Sequence, residues 1–262
     1  KLHFTMSVTK SITSLAVGVA IDKGLIKGDQ DLFIDHFPKL DRSKLAKGAD
    51  KIRLADMLSM RSGLRVDASK LTRKERFASD DVVIALTRSA PIEPGKHYKY
   101  QGYDPNLLSR LIGKKTGKPM QYLIQEKLFL PMGINQFSFN AYPDNATKAS
   151  AGMHVTSRDL LKVGLLVLNN GKWKDKQLVS PEWIKKSTAI HVNNGKAKYG
   201  YFWWSQYHGE GKDRVLVKSA RGAAGQYILM VPKYDLVVVF TSYGSKNAFH
   251  VLEKLILPAC RK

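Results

Sequence analysis

Apolar residues recur every three or four positions after Ser7 (Ile12, Leu15, Ala16, Val19, Ala20), and Gly24 follows them. That spacing predicts a buried helix over 7–23, closed by a glycine. The same period predicts helices over 53–60, ended by Ser62-Gly63, and over 80–89, with Ser79 or Asp80 as cap. Another opens at Tyr103 or Asp104 and closes at Gly117, and a further one covers 120–128. Ser157 reads as the N-cap of a helix to Asn169, and Pro181 starts one through Ser187. Positions 29–38 and 70–76 read as loops or exposed turns. The pattern then changes: short β-branched and aromatic runs at 199–205, 214–218, 226–231 and 236–242, divided by turn residues, predict strands. Pro232-Lys233-Tyr234-Asp235 joins the last two as a hairpin, and a final helix covers 246–257. Helices first, an antiparallel sheet late and a closing helix make the class α+β.

Composition narrows the setting more than the chemistry. At 262 residues, 44% hydrophobic and 25% charged, the chain can build a core without staples. Its single cysteine, Cys260, excludes an internal disulfide framework and any cysteine-based metal site. That suits a reducing cytoplasm and a periplasmic or secreted protein equally. No run of 18 apolar residues occurs; the longest candidate, 160–168, is broken by Lys162 and Gly164. Lys1 to Met6 carries no signal-peptide features. The net charge of +21 is spread over scattered positions such as Lys44, Lys47, Lys51, Lys70, Arg73, Lys172, Lys174 and Lys176. It reads as a solvated cationic surface, with attraction to an anionic envelope as the sharper reading. No helix-turn-helix, zinc-finger or RNP pattern points to nucleic acid.

Ser7-Val8-Thr9-Lys10 is Ser-x-x-Lys at the head of the first helix. Positions i and i+3 share a helical face, so the lysine amine can reach the serine hydroxyl. A serine needs a base to become a nucleophile, and a lysine serves once burial lowers its pKa. The helix N-terminus adds a partial positive charge and a backbone N–H for an oxyanion. Taken alone, the tetrapeptide reads as an N-cap serine followed by an exposed lysine. The seven histidines fall in no ligand pattern, so no metal and no cofactor are assigned, and Gly-x-Ser-x-Gly is absent.

Context changes that reading. Phe4-Thr5-Met6-Ser7-Val8-Thr9-Lys10-Ser11-Ile12 resembles the nucleophile segment of the class C β-lactamase-like superfamily, more narrowly its 6-aminohexanoate-dimer hydrolase and esterase branch. Later blocks follow in that family's order: Leu54-Ala55-Asp56-Met57-Leu58-Ser59-Met60-Arg61-Ser62-Gly63-Leu64, Pro94-Gly95 ahead of Tyr98-Lys99-Tyr100, Leu130-Pro131-Met132-Gly133-Ile134, Tyr199-Gly200-Tyr201-Phe202-Trp203-Trp204 and Gly225-Gln226-Tyr227. The resemblance implies a β-lactamase/transpeptidase-like fold, with an antiparallel sheet flanked by helices plus an all-helical region. It implies acyl transfer by Ser7 and Lys10, with Tyr100 shuttling a proton.

The family's Tyr-x-Asn falls on Tyr100-Gln101-Gly102, so its asparagine is replaced by Gly102. Its Lys-Thr-Gly-type strand motif falls on Ala220-Arg221-Gly222, with the Ala223 N–H as second oxyanion donor beside that of Ser7; Lys218-Ser219-Ala220 is the rival register. Arg221, Gly222, Gly102 and Trp204 are the substrate-binding candidates. The organisation expected is a nucleophile helix in 1–30, a helical region with the tyrosine loop in 31–190, and C-terminal strands with a final helix in 191–262. Family members carry N-terminal strands of the same sheet, absent here, so a missing N-terminal segment or a second chain is expected to complete it. The activity expected is carboxylesterase or small-amide hydrolase, on a small-molecule ester, amide or peptide-like substrate. The alternatives are a β-lactamase or D,D-peptidase-like activity and a catalytically inactive ligand binder.

Overall fold

The computed structural model describes residues 1–76, 81–195, 197–244 and 247–260. The chain opens with β1 (His3–Phe4) and α1 (Val8–Asp22), followed by α2 (Leu54–Leu58), α3 (Arg73–Arg76), α4 (Asp81–Thr87), α5 (Tyr103–Thr116) and α6 (Met120–Ile124). Next come β2 (Phe137–Phe139), β3 (Met153–Val155), α7 (Ser157–Leu168), β4 (Lys172–Trp173), β5 (Lys176–Gln177) and α8 (Pro181–Ser187). The strands β6 (Val192–Asn194), β7 (Ala197–Tyr199), β8 (Trp204–His208), β9 (Val215–Gly222), β10 (Gln226–Val231) and β11 (Leu236–Phe240) precede α9 (Ala248–Val251).

These strands form a six-stranded antiparallel sheet ordered β11-β10-β9-β8-β7-β6. Alternation decides its two faces. Ala220, Ile228 and Met230 join the main core with α1, while Val217, Leu229 and Val231 join a smaller cluster with Leu252 and Leu257 of the C-terminal segment. The architecture is α+β, as expected. Among the described residues β11 pairs with β10 alone, so its outer edge, Leu236–Phe240, is free.

α1 lies between the sheet and α5, α6 and α8, and every residue from Val8 to Ala20 is buried. Each large aliphatic side chain sealed there contributes about 1.5–3 kcal/mol. Gly18 lets α8 press close: a Cβ there would lie 2.2 Å from Cδ1 of Trp183. The Trp183 Nε1 donates to the Ser14 carbonyl at 2.9 Å.

The structure corrects several local expectations. The cap of α7 is Thr156, whose hydroxyl accepts from the Asp159 N–H, and not Ser157. The run 199–205 is two strands, because Phe202 adopts φ 64° and its N–H donates to the Leu58 carbonyl. Part of the expected 70–76 loop is the short α3. The caps expected at Ser79 or Asp80 lie outside the described residues. The small sheet β1-β3-β2 was not anticipated, since two- and three-residue strands leave no period to read. No helix among the described residues is long and apolar enough to cross a membrane.

Candidate active site

Ser7 is positioned by a forced turn. The Thr5 N–H donates to the Met153 carbonyl at 2.9 Å, Met6 then takes a left-handed φ of 50°, and Ser7 is the N-cap of α1. Left-handed backbone at a non-glycine residue is strained and persists only where its surroundings over-determine it. The Ser7 side chain makes no capping bond and stays half-buried, accessible to a substrate. One turn on, the Lys10 Nζ donates to Ser7 Oγ at 2.9 Å and to the Ser150 carbonyl at 2.5 Å.

Lys10 is only 4% exposed, which removes the reading of an N-cap followed by a solvated lysine. Burial pulls its pKa down to about 8. About one molecule in ten then carries the neutral amine at pH 7. Tyr100 completes the triangle: Lys10 Nζ stands 4.9 Å from its ring centroid, and the Ser7 side chain acts on its hydroxyl, lowering its pKa. A neighbouring ammonium by itself would favour the phenolate. Desolvation instead pushes Tyr100 above its ordinary value, Ser7 offsetting only part of this, so it stands as a neutral hydroxyl.

Trp204 borders this triangle, its ring 5.6 Å from Tyr100 and 4.6 Å from Tyr199. Its neighbour Trp203 and the nearby Tyr201 are core. Arg221 is packed between Trp204 (5.3 Å) and Phe249 (4.6 Å), donating to Ser219 Oγ at 2.9 Å and Gln206 Oε1 at 3.1 Å. Burial lowers its pKa to about 10. It therefore joins the site through Trp204.

β9 meets the turn before Ser7 at Gly222. A Cβ there would fall 2.4 Å from the Thr5 carbonyl oxygen and 3.1 Å from Met6 Cβ. Lys218, in the rival register, is turned to Thr188 Oγ1 at 2.9 Å. The contact with the turn thus favours the register Ala220-Arg221-Gly222. Ala223 follows, exposed, in a turn held by the Ala224 carbonyl, which accepts from Gly244 N, Ser242 Oγ and Gln226 Nε2.

Gly102 caps α5, and a Cβ built there would stand 3.4 Å from both Ser150 Cβ and Oγ, an ordinary contact. Sequence reasoning missed what holds Ser150. Asn106 Oδ1 accepts from the Ala149 and Ser150 N–H groups at 3.0 Å, while Thr5, Thr9 and Thr13 of the α1 segment bond to 149–153. The threonines at i, i+4 and i+8 were a visible stripe on one helix side; Asn106 gave no signal. No group of three His, Cys, Asp or Glu side chains among the described residues could hold a metal ion.

A family model described as Beta-lactamase matches residues 1–259. The chain is similar to Beta-lactamase-like protein 4 of Dictyostelium discoideum, 25% identical over 313 residues that cover 98% of this chain and 53% of that protein. It is similar to the 6-aminohexanoate-dimer hydrolase of Paenarthrobacter ureafaciens, 22% identical over 262 residues, covering 90% and 65%. Among solved structures it is similar to the octameric penicillin-binding protein homologue from Pyrococcus abyssi, with a TM-score of 0.73 and 19% identity, covering 99% and 66%. The chain thus spans between 53% and 66% of the length of these three proteins, and the structural likeness concerns the fold.

Proposed function

We propose that this chain, which belongs to the beta-lactamase family, is a serine hydrolase that forms an acyl-enzyme at Ser7 with an ester or small amide. The observation that carries the reading is the buried Lys10 amine, 2.9 Å from Ser7 Oγ with burial as the cause of its lowered pKa. Ser7 Oγ attacks the carbonyl carbon while its proton passes to the neutral Lys10 Nζ. The oxyanion lies between the N–H groups of Ser7 and Ala223, next to the N-terminus of α1. Lys10 returns the proton by way of the neutral Tyr100 hydroxyl to the leaving alkoxide or amine, and the C–O or C–N bond breaks. Water then attacks the acyl-enzyme with the same groups in reverse order. Trp204 and Tyr100 wall the acyl pocket, and Arg221 stiffens that wall.

Gly102 removes the side-chain amide that would bind an amide-bearing substrate, so carboxylester or small-amide hydrolysis is favoured over β-lactam turnover. The test is hydrolysis of p-nitrophenyl butyrate by the intact chain and by Ser7→Ala. Loss of turnover in the variant, with fluorophosphonate labelling of Ser7 only in the parent, supports the reading; equal rates overturn it. Labelling of Ser7 by fluorescent penicillin without ester turnover would replace it by a D,D-peptidase-like activity, and no labelling at all by an inactive binder.

The same proposal extends to the cationic surface. A cavity of about 510 Å³ is lined by Lys47, Lys51, Arg65, Lys96 and His97, with Glu93 the acidic group among them. It offers an anionic polymer a concave seat. Binding of polyphosphate that weakens with salt, and weakens further in a Lys47/Lys51/Arg65→Glu triple variant than in Lys172/Lys174/Lys176→Glu, supports this; equal loss in both reduces it to net charge. The free edge of β11 would take one more strand, from elsewhere in a longer protein or from a second chain.

A further inference from the structure

Behind Tyr100 lies a carboxyl group with no role in the chemistry above. Asp104, in the first turn of α5, is fully buried. Its Oδ2 accepts from Gln101 Nε2 at 3.2 Å, and the neighbouring Ser62 hydroxyl favours the carboxylate. Gln101 Nε2 also donates to Ser62 Oγ at 3.2 Å, so one side-chain amide ties the residue after Tyr100 to two buried groups. Oδ1 of Asp104 has no hydrogen-bond partner, and neither have the buried hydroxyls of Tyr98 and Tyr199. Tyr199 feels the charge of Asp104 and touches Tyr100 edge-on, ring centroids 6.1 Å apart.

These contacts pull in opposite directions. Gln101 donates to Asp104, which suits a carboxylate. Full burial with one oxygen unpaired suits the neutral acid. The other charged groups facing it are Asp56, in α2, and Lys99, on the tyrosine loop, and these oppose each other. Burial is the largest influence and brings Asp104 to about 7.

We infer that Asp104 is a positioning residue for Tyr100: its carboxylate holds Gln101, and with it the tyrosine loop, in the geometry that Ser7 needs, and protonation releases that hold. The inference rests on Ser7 being the nucleophile, and it adds control of that site by a group that touches neither Ser7 nor substrate.

The experiment is the pH dependence of kcat/KM for p-nitrophenyl butyrate between about pH 5 and 9, where two required deprotonations give a limiting slope of about 2 and one gives about 1. The parent chain is expected to approach 2 below the Asp104 midpoint, through Asp104 and Lys10. Asp104→Asn is expected to show about 1, with kcat/KM at pH 8 lowered by about tenfold to a hundredfold. Gln101→Ala, which keeps the buried acid and cuts the link, is expected to show the same change. A parent slope of 1, or a slope of 2 retained in both variants, overturns the inference while leaving Ser7 in place.

A second readout does not need turnover. With 3-fluorotyrosine at position 100 in a Lys10→Met background, the fluorine resonance is expected to move with a midpoint near neutrality, and not to move once Asp104→Asn is added. A resonance that ignores pH overturns the coupling, whether or not any ester is cleaved.

Discussion

The Thr9 hydroxyl donates to the Met6 carbonyl at 2.7 Å, so the strained residue before Ser7 is held by the residue two places after it. The same oxygen accepts from the Gly152 and Met153 N–H groups, both at 3.2 Å. One hydroxyl therefore links the nucleophile turn to the segment whose Ser150 carbonyl fixes Lys10. Thr9→Val keeps the volume and strands the Gly152 and Met153 N–H groups, while the Met6 carbonyl keeps the Thr9 N–H at 3.2 Å. We expect a stability loss of roughly 2–4 kcal/mol, read by urea unfolding. Fluorophosphonate labelling of Ser7 should slow by about tenfold or more, read on the folded fraction.

In the proposed mechanism Lys10 sets the pH dependence of acylation, and its burial carries a stability cost. Its folded pKa, about 8, lies below the ordinary value of 10.5, so the folded chain binds fewer protons than the unfolded chain between these values. Acylation should therefore rise with pH and level off above about 8, and stability should also rise from pH 8 to 10.5. Below pH 8 the buried ammonium costs the fold on the order of 3 kcal/mol. Lys10→Met should abolish acylation and raise the unfolding midpoint at pH 7, offset in part by the unpaired Ser150 carbonyl. A midpoint that falls by several degrees would show that the Ser150 bond outweighs the desolvation.

Asp104 has the opposite sign. Its folded pKa, about 7, lies above the ordinary 3.8, so the acid contributes stability that is complete below about pH 4 and is lost as pH rises through 7. The full swing is roughly 4 kcal/mol. Asp104→Asn should flatten this slope: the difference in unfolding free energy between parent and variant, measured at pH 5 and pH 8, should shift toward the variant by a few kcal/mol.

Gly222 is the point where the sheet touches the nucleophile turn, and the obstacle there is the Thr5 backbone oxygen. Gly222→Ala must move either β9 or the turn. We expect a stability loss of about 1–3 kcal/mol and a larger effect on kcat than on KM for the ester, since the two oxyanion donors would separate. An unchanged kcat would remove Ala223 from the oxyanion site.

Much of this was legible in the sequence because local period and tertiary role agree in α1, α5 and α8. The Ser7–Lys10 pair was legible through the ordered blocks that resemble the family: i and i+3 on a helix can meet, but the tetrapeptide alone reads as a cap and an exposed lysine. The left-handed turn at Phe202 was not, because a contact with Leu58, distant in sequence, imposes it on an aromatic run that reads as one strand. Ser150 and Asn106 were invisible because their part is played through backbone groups brought together only by folding. The direction of the Tyr100 shift is not legible in the sequence, because desolvation is its main cause and depends on the fold.

Gly102 tests how far substrate choice depends on one absent side chain. The site has room: the nearest atoms to a built Cβ are Ser150 Cβ and Oγ at 3.4 Å, with Asn106 Nδ2 at 3.9 Å, and the backbone is ordinary right-handed. Gly102→Asn should therefore fold, with a stability change within about 1 kcal/mol of the parent. Its carboxamide would stand beside Ser150, on the side from which Lys10 is held, and would offer one donor and one acceptor to an amide substrate. An amide in the pocket would then gain on the order of 1 kcal/mol, and an ester would gain less because it lacks an N–H to donate. The ratio of kcat/KM for an anilide to that for the matching p-nitrophenyl ester should rise by about fivefold or more. A ratio that does not move would show that the acyl pocket formed by Tyr100 and Trp204, and not position 102, sets the preference.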